Sequence, residues 1–402
     1  MTEPALQPAP ALGFPARVCP YDPPHVYAEH RRHGPVAKVF LPDGKTGWLV
    51  TGYHELRSLL ADRRISADRG SPVWPNYWEG PGESWRSPLA LRAAHEFNLM
   101  DGHQHAALRR VVLPYLTARR ARALAPAIDR AVNTLIERML DAGPPTDVVP
   151  ALAMPLPAMM MAEVFAIPSA DHAFFVERVT RAFGSRAFDR ESIGELGDYL
   201  ARQIREREGG AGDDLITGVA SHLGQLNRQS LERTVQVIVS GAYEPVSSAI
   251  SIGTLVLLAN PPQLAALRAN LSLMPAAVEE LLRYMSTFEP VQRVAVADIH
   301  IAGQVIRAGE AVLLSPASAN RDATVFADPD SFTMGRSAHR HVAFGEGTHM
   351  CVGKNLAKVA LESVFTGLLS RLPGLRPVGP VDTVGIDPAA GSPRITPLLV
   401  TW

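Results

Sequence analysis

Between Phe344 and Gly353 the chain reads Phe-Gly-Glu-Gly-Thr-His-Met-Cys-Val-Gly, a glycine-rich loop that offers one thiol and runs at once into a helical pattern. Apolar residues recur at Val352, Leu356, Val359, Ala360, Val364 and Leu368, which is the period of an amphipathic helix. The backbone must therefore turn tightly and present a single sulfur, Cys351, at the mouth of a helix. Unpaired N–H groups and the positive end of the macrodipole favour the thiolate there. Gly347 and Gly353 leave room for a flat ligand to approach the backbone. The other cysteine, Cys19, lies far away in a Pro-rich segment, so the pair does not read as a disulfide framework and a reducing compartment is expected.

The spacing Phe344-x-x-Gly347-x-x-x-Cys351-x-Gly353 resembles the haem-ligand loop of the cytochrome P-450 superfamily. The resemblance implies that Cys351 is the axial ligand of a haem b iron, a thiolate whose electron donation favours O–O cleavage. It implies a fold that is mainly α with small β-sheets (α+β). Residues 1–24 are then an extended lead, and 25–402 a single catalytic domain with a long central helix over the haem. It further implies an oxidoreductase of monooxygenase type, with O2 as co-substrate and electrons from a ferredoxin and its ferredoxin reductase. The lead has neither a charged start followed by an apolar core nor a spanning segment, so a cytoplasmic protein without a membrane anchor is expected.

Other residues extend the resemblance. Glu280 and Arg283 are three apart in a helical pattern and share a face. They resemble the family's Glu-x-x-Arg element, for which Arg336 is the matching third partner, and the resemblance makes the three a structural network. His105 and Arg109, four apart on one helix face, resemble the clamp on the haem propionates, with Arg293 and His349 as further clamp positions. Arg109, Arg110, Arg119, Arg120, Lys354 and Lys358 are expected to make the thiolate side positive, a surface suited to an acidic ferredoxin.

Of the 402 residues 47% are hydrophobic, enough for a large core, and a net charge of -1 gives no reason to expect nucleic acid or an anionic membrane as partner. Strands are expected at Val36–Leu41 and Trp48–Gly52, and helices over 53–62, 103–140, 151–165, 170–183, 190–208, 229–259, 261–270 and 275–286. A strand-rich stretch follows over 291–315, and 316–343 reads as irregular and polar. The weakly charged run from Thr234 to Asn260 is interrupted by Glu244, Pro245 and several serines, so it reads as a core helix and not as a membrane span.

One departure from the family stands out. The central helix normally carries an acid followed by a threonine whose hydroxyl helps deliver protons for O–O cleavage. Here the run is Gly-Ala-Tyr-Glu-Pro-Val-Ser-Ser over 241–248. Glu244 supplies the acid, but Pro245 stands where the threonine belongs. Proline donates no hydrogen bond, leaves the carbonyl of Gly241 without its helical partner and is expected to kink the helix. Glu244 with a water chain, Ser248 one turn on, or a polar group of the substrate are the candidate proton sources. Three chemistries stay open: oxygen-dependent hydroxylation, a peroxide-driven peroxygenase reaction, and oxidative C–C or C–N coupling. A non-catalytic haem carrier or sensor is the alternative outside enzymology.

The segment 66–100, dense in Pro and Gly, holds Trp74, Trp78 and Trp85. The resemblance places it over the distal pocket, where flat rings suit an aromatic guest. Tyr243, Phe288, Val291 and Gln292 are further pocket candidates, Gln292 as a partner for an amide or carbonyl. A hydrophobic, aromatic small molecule of bacterial secondary metabolism is expected as substrate, and an aromatic cyclic dipeptide (diketopiperazine) is the specific expectation.

Overall fold

Asn227 caps a helix by accepting a hydrogen bond from the backbone of Ser230, and from there 32 residues, Arg228–Ala259, wind without interruption through the middle of the protein. The computed structural model describes residues 19–41, 44–71, 74, 97–184, 189–288, 290–387, 392–395 and 397–402. In chain order the helices are α1 (His25–His33), α2 (Tyr53–Ala61), α3 (Gly102–Val112), α4 (Ala118–Ala142), α5 (Pro155–Val164), α6 (His172–Phe183), α7 (Arg190–Glu206), α8 (Leu215–Ala220), the central α9 (Arg228–Ala259), α10 (Pro261–Ala269), α11 (Met274–Met285), the short α12 (Pro316–Ala319) and α13 (Lys354–Arg371). The strands are β1 (Val36–Phe40), β2 (Thr46–Val50), β3 (Ile65–Ser66), β4 (Thr146–Asp147), β5 (Val291–Ala295), β6 (Ile299–Ile301), β7 (Gln304–Ile306), β8 (Ala311–Leu314), β9 (Arg376–Pro377), β10 (Ile386–Asp387), β11 (Arg394–Ile395) and β12 (Leu399–Thr401). The fold is thus mainly α, with small sheets at its margins.

The largest sheet runs β1-β2-β8-β5-β3. Only β2 and β8 pair in parallel, as Gly47 with Ala311 through Val50 with Leu314. That sheet and α2 share one apolar cluster, while the helices around α9 bury a second and larger one. Close approach in the larger core depends on Gly253 of α9, where a Cβ would lie 2.6 Å from the ring of Phe365 on α13. The apolar window of α9 is long enough to cross a membrane, but 72% of it is buried inside the fold, as a core helix requires.

Several expectations need correction. The helical pattern over 103–140 is two helices. A short 3-10 turn at Leu113–Tyr115 ends the first, and Thr117 caps the second by accepting from the Arg120 N–H. The helix Leu215–Ala220, capped by Asp214, had no separate sequence signal because it spans six residues. The stretch after residue 316 is not a polar surface at its start: Ser318 and Asn320 are fully buried and Arg321 is 2% exposed. Residues 19–24 of the expected lead touch the body. Asp22 pairs with Arg321 at 3.1 Å, and Tyr21 stacks on Tyr284 with ring centroids 5.7 Å apart. Residues 1–18 lie outside the described part. As expected for 229–259, α9 continues as one helix through Pro245 to Ala259.

Candidate haem-thiolate site

The Cys351 loop is closed by its own backbone, with the Cys351 N–H donating to the Phe344 carbonyl at 2.9 Å. Gly347 sits at φ 71°, and a Cβ there would come within 2.5 Å of the Leu60 carbonyl oxygen and 3.0 Å of the Ala61 Cα. Its smallness therefore serves the seating of the loop on the end of α2. Gly353 has φ −87°, and a Cβ there would meet only the Cys351 Sγ, at 3.9 Å, so its missing side chain answers to no protein neighbour. Arg57 of α2 clamps the loop from outside through Glu346 at 2.9 Å.

The helix behind the loop starts at Lys354, three residues past the sulfur. The Cys351 side chain carries accessible surface but lies deep in the chain, facing inward. Burial is the largest influence on its thiol and pushes the pKa up; the backbone N–H groups of Gly353 and Lys354 and the charges of Arg109 and Lys354 oppose it without prevailing. The helix mouth alone does not secure the thiolate. A coordinated metal cation does, because a ligating thiol is deprotonated outright.

Across from the sulfur the chain gathers positive and proton-bearing groups. The rings of His105 and His349 stack with centroids 4.1 Å apart. Arg109 Nη2 donates to the Met350 carbonyl at 2.6 Å, one residue before the ligand candidate. His349 Nε2 pairs with Asp101 at 3.0 Å. Burial alone would raise the Asp101 carboxyl, but hydrogen bonds from His349, Ser66 and the Ala67 N–H bring it down to about 2. His105 Nε2 is buried without a partner, and burial, then the charges of His349 and Arg109, lower this histidine to about 4. Burial likewise lowers Arg293 to about 10, with only distant support from Asp101. The sole hydrogen bond of its guanidinium among the described residues runs to the Gln292 carbonyl at 2.7 Å. A half-buried arginine and a buried imidazole nitrogen without a partner among the described residues, served by one carboxylate, are short of negative charge. Two propionates would supply it, so His105, Arg109, Arg293 and His349 fit haem b on the observed geometry.

On the central helix, an accessible patch surrounds Gly241. Gly241 is exposed, Ala242, Glu244 and Pro245 are half-buried, and Tyr243 and Val246 are buried. Glu244 pairs with Arg394 of β11, which also donates to the Phe183 carbonyl at the end of α6, at 2.7 Å. Ser248 is not free to relay protons: its hydroxyl donates to the Pro393 carbonyl at 2.5 Å. Tyr243 does not line a pocket either. It is 2% exposed and packs against Phe183, ring centroids 6.1 Å apart. Burial pushes its hydroxyl up to about 12; Thr180 is near enough to act on it, yet neither hydroxyl completes a well-aligned hydrogen bond.

Trp74 Nε1 donates to Gln292 Oε1 at 3.0 Å, while Gln292 Nε2 is buried without a partner among the described residues. Alternation along β5 puts Gln292 on the opposite face from Val291 and Arg293, and its bond to Trp74 ties that residue to the sheet. Val291 is buried, and Phe288 is 53% exposed. Trp78 and Trp85 lie outside the described residues.

Glu280 and Arg283, both fully buried, form a two-pronged pair at 2.7 and 2.8 Å, and Arg336 joins the same carboxylate at 3.2 Å. Arg283 also donates to the carbonyls of Asn320 and Pro329, both at 2.8 Å. Asn320 carries the network on. Its side chain donates to Ser286 and accepts from the Val342 N–H, both at 2.8 Å, and so reaches the segment leading into the Cys351 loop. Neither Asn320 nor Arg394 was visible in the sequence, since each is an isolated polar residue in a segment with no periodicity. On the expected basic face, Arg120 is engaged by Asp213 and Lys358 by Glu279, and Arg109 points inward. Arg110 and Arg119 are exposed, and Lys354 is half-buried, without an acidic partner among the described residues.

A family model described as cytochrome P450 matches residues 211–373. Pentalenic acid synthase of Streptomyces avermitilis is 39% identical over 410 residues, covering 100% of both chains. Vitamin D3 dihydroxylase of Streptomyces griseolus is 36% identical over 411 residues, covering 100% of this chain and 99% of that one. The crystal structure of cytochrome P450 MoxA from Nonomuraea recticatena superposes with a TM-score of 0.90 at 35% identity, covering 98% of each chain. Identity at this level along the whole length, joined to a fold shared almost end to end, means that the chain belongs to the cytochrome P450 family of haem b monooxygenases.

Proposed function

We propose that the protein is a cytoplasmic haem-thiolate monooxygenase of actinobacterial secondary metabolism that oxidises a hydrophobic small molecule. The observation that carries the site assignment is the charge-poor cluster of His105 and Arg293 beside the Cys351 loop. Cys351 would hold the iron, and His105, Arg109, Arg293 and His349 the propionates. When bound, the haem supplies the reductive activation of O2. The chain's part is to hold the guest, exclude bulk water and manage protons. Glu244 is the one acid on the accessible patch of α9, and Pro245 beside it contributes no proton. Glu280, Arg283 and Arg336 brace the loop from behind and touch no reacting atom.

Electrons would arrive from a ferredoxin, reduced by its reductase, docked near Arg110, Arg119 and Lys354. For the substrate, curated relatives named for pentalenic acid and vitamin D3 support a bulky apolar guest. Within that class an aromatic cyclic dipeptide, hydroxylated or coupled, is the specific proposal, and it rests on the tryptophans of the 66–100 segment. Pro245 supports a second reading, in which hydrogen peroxide replaces O2 and the electron chain.

The test is the carbon monoxide difference spectrum of the reduced holoprotein. The red-shifted band of thiolate ligation is expected in the parent and absent in Cys351→Ser. Its persistence in the variant defeats the assignment. Turnover with ferredoxin, reductase and NADPH, set beside turnover on peroxide alone, separates the two readings.

A further inference from the structure

We infer that the backbone carbonyl of Gly241 is a ligand-binding acceptor, created by Pro245, which selects guests carrying an O–H or N–H donor. In an α-helix the carbonyl of residue 241 is served by the N–H of residue 245. Proline has none. The helix nevertheless continues to Ala259, so the carbonyl stays in helical orientation with its ordinary donor missing.

The space beside it is open. Gly241 is exposed midway along a helix whose neighbouring residues are buried or half-buried, and a Cβ at this position would meet nothing within 4 Å. Gly241 and Pro245 are four apart and share a face, so the bare carbonyl and the proline ring border one surface. Side chains on a helix tilt toward its N-terminus, so the carbonyl of residue 241 is bordered by residues 244 and 245 and not by a side chain of its own residue.

Among the described residues, no side chain donates to this carbonyl. The Ser248 hydroxyl is spent on the Pro393 carbonyl at 2.5 Å. The Ser240 hydroxyl donates to the Val237 carbonyl at 3.2 Å. Tyr243 turns away into the core against Phe183. Glu244, paired with Arg394, presents acceptors. An acceptor taken out of bulk water without a donor is costly, and a guest that brings one removes the cost. A hydroxyl or N–H on the guest is thus favoured, while an ether or N-alkyl group at the same place is not. This rests on the reading that α9 borders the haem pocket.

The experiment uses the holoprotein and probes that anchor themselves on the iron: phenylimidazoles bearing a hydroxymethyl or a methoxymethyl group at the ortho, meta or para position. Dissociation constants come from optical titration of the parent and of Pro245→Ala, which restores an N–H to the Gly241 carbonyl and adds no hydroxyl. In the parent, at least one hydroxymethyl isomer should bind about five- to tenfold more tightly than its methoxymethyl partner, the size of one net hydrogen bond. In Pro245→Ala the difference should fall to within about twofold. Equal binding at all three positions in the parent, or an undiminished preference in the variant, overturns the inference. The carbon monoxide spectrum is recorded on the same samples. A thiolate band with no preference sinks this inference alone, whereas a missing band sinks the haem-thiolate reading and this with it.

Discussion

Arg394 reaches across from the C-terminal hairpin to pair with Glu244 on the central helix, and the same Nη2 atom holds the Phe183 carbonyl at the end of α6 at 2.7 Å. One guanidinium thus joins three elements beside the patch where Pro245 interrupts the family pattern. Ser248 repeats the attachment one turn along, through the Pro393 carbonyl. Glu244 is a tethered acid, and whatever it does for protons it does from a position Arg394 sets.

Arg394→Ala should therefore alter proton handling more than stability. The pair is part-exposed, with side chains 21% and 23% accessible, so its loss should cost about 1 kcal/mol or less. The fraction of electrons recovered as hydrogen peroxide should change at least twofold, with partial recovery in Arg394→Lys. An unchanged fraction in both variants would show that the tether has no bearing on Glu244.

The Glu280–Arg283 pair should behave in the opposite way. Both residues are fully buried, and removing one leaves the other's charge stranded. Arg283→Ala should cost about 3–5 kcal/mol in denaturant unfolding. Arg283→Lys should recover little of it, since an ammonium cannot reproduce the two-pronged pair together with the bonds to Asn320 and Pro329.

The two glycines of the loop should separate folding from cofactor binding. Gly347→Ala places a Cβ 2.5 Å from the Leu60 carbonyl at a φ of 71°, so the apoprotein itself should lose stability. Gly353→Ala meets only Sγ at 3.9 Å, so the apoprotein should melt as the parent does while haem retention falls. Apoprotein melting curves beside haem content after purification decide the matter.

Arg293→Leu should leave the apoprotein about as stable as the parent, because a half-buried cation without an ion-pair partner among the described residues is removed. Haem loss to a competing apo-globin should quicken by about tenfold, the worth of one buried charged contact. Slower or unchanged loss would remove Arg293 from the propionate site.

Glu279 should shape the acid limb of stability. Burial would raise its carboxyl, but the Lys358 ammonium that donates to it and the His341 ring 3.1 Å away hold it at about 2, below the ordinary carboxylate range. A depressed carboxyl contributes stability above its unfolded pKa and loses it as pH falls through the folded one. The contribution, about 1–2 kcal/mol once solvent screening is allowed for, is present above about pH 4.5 and disappears toward pH 2. Denaturation of Glu279→Gln across this range should show a shallower acid limb than the parent.

What the chain disclosed on its own was short-range. The Cys351 loop, the Glu280–Arg283 spacing, the His105–Arg109 spacing and the long run of α9 are patterns within a few turns, where helical and strand periods dictate which residues share a face. Those features were enough for the mainly α fold and for most of the cation cluster. Packing alone decided the rest. Glu244 meets Arg394 across 150 residues, Ser248 meets Pro393 across 145, and Trp74 meets Gln292 across 218. Periodicity names a face but not the neighbour that covers it, so it could not say that Tyr243 turns into the core or that Ser248 is already committed. Nor could it say that Gly347 is small for the sake of Leu60. Such facts arise when separately formed elements close against one another, because a hydrogen bond or a clash between distant residues exists only once the core has set their distance.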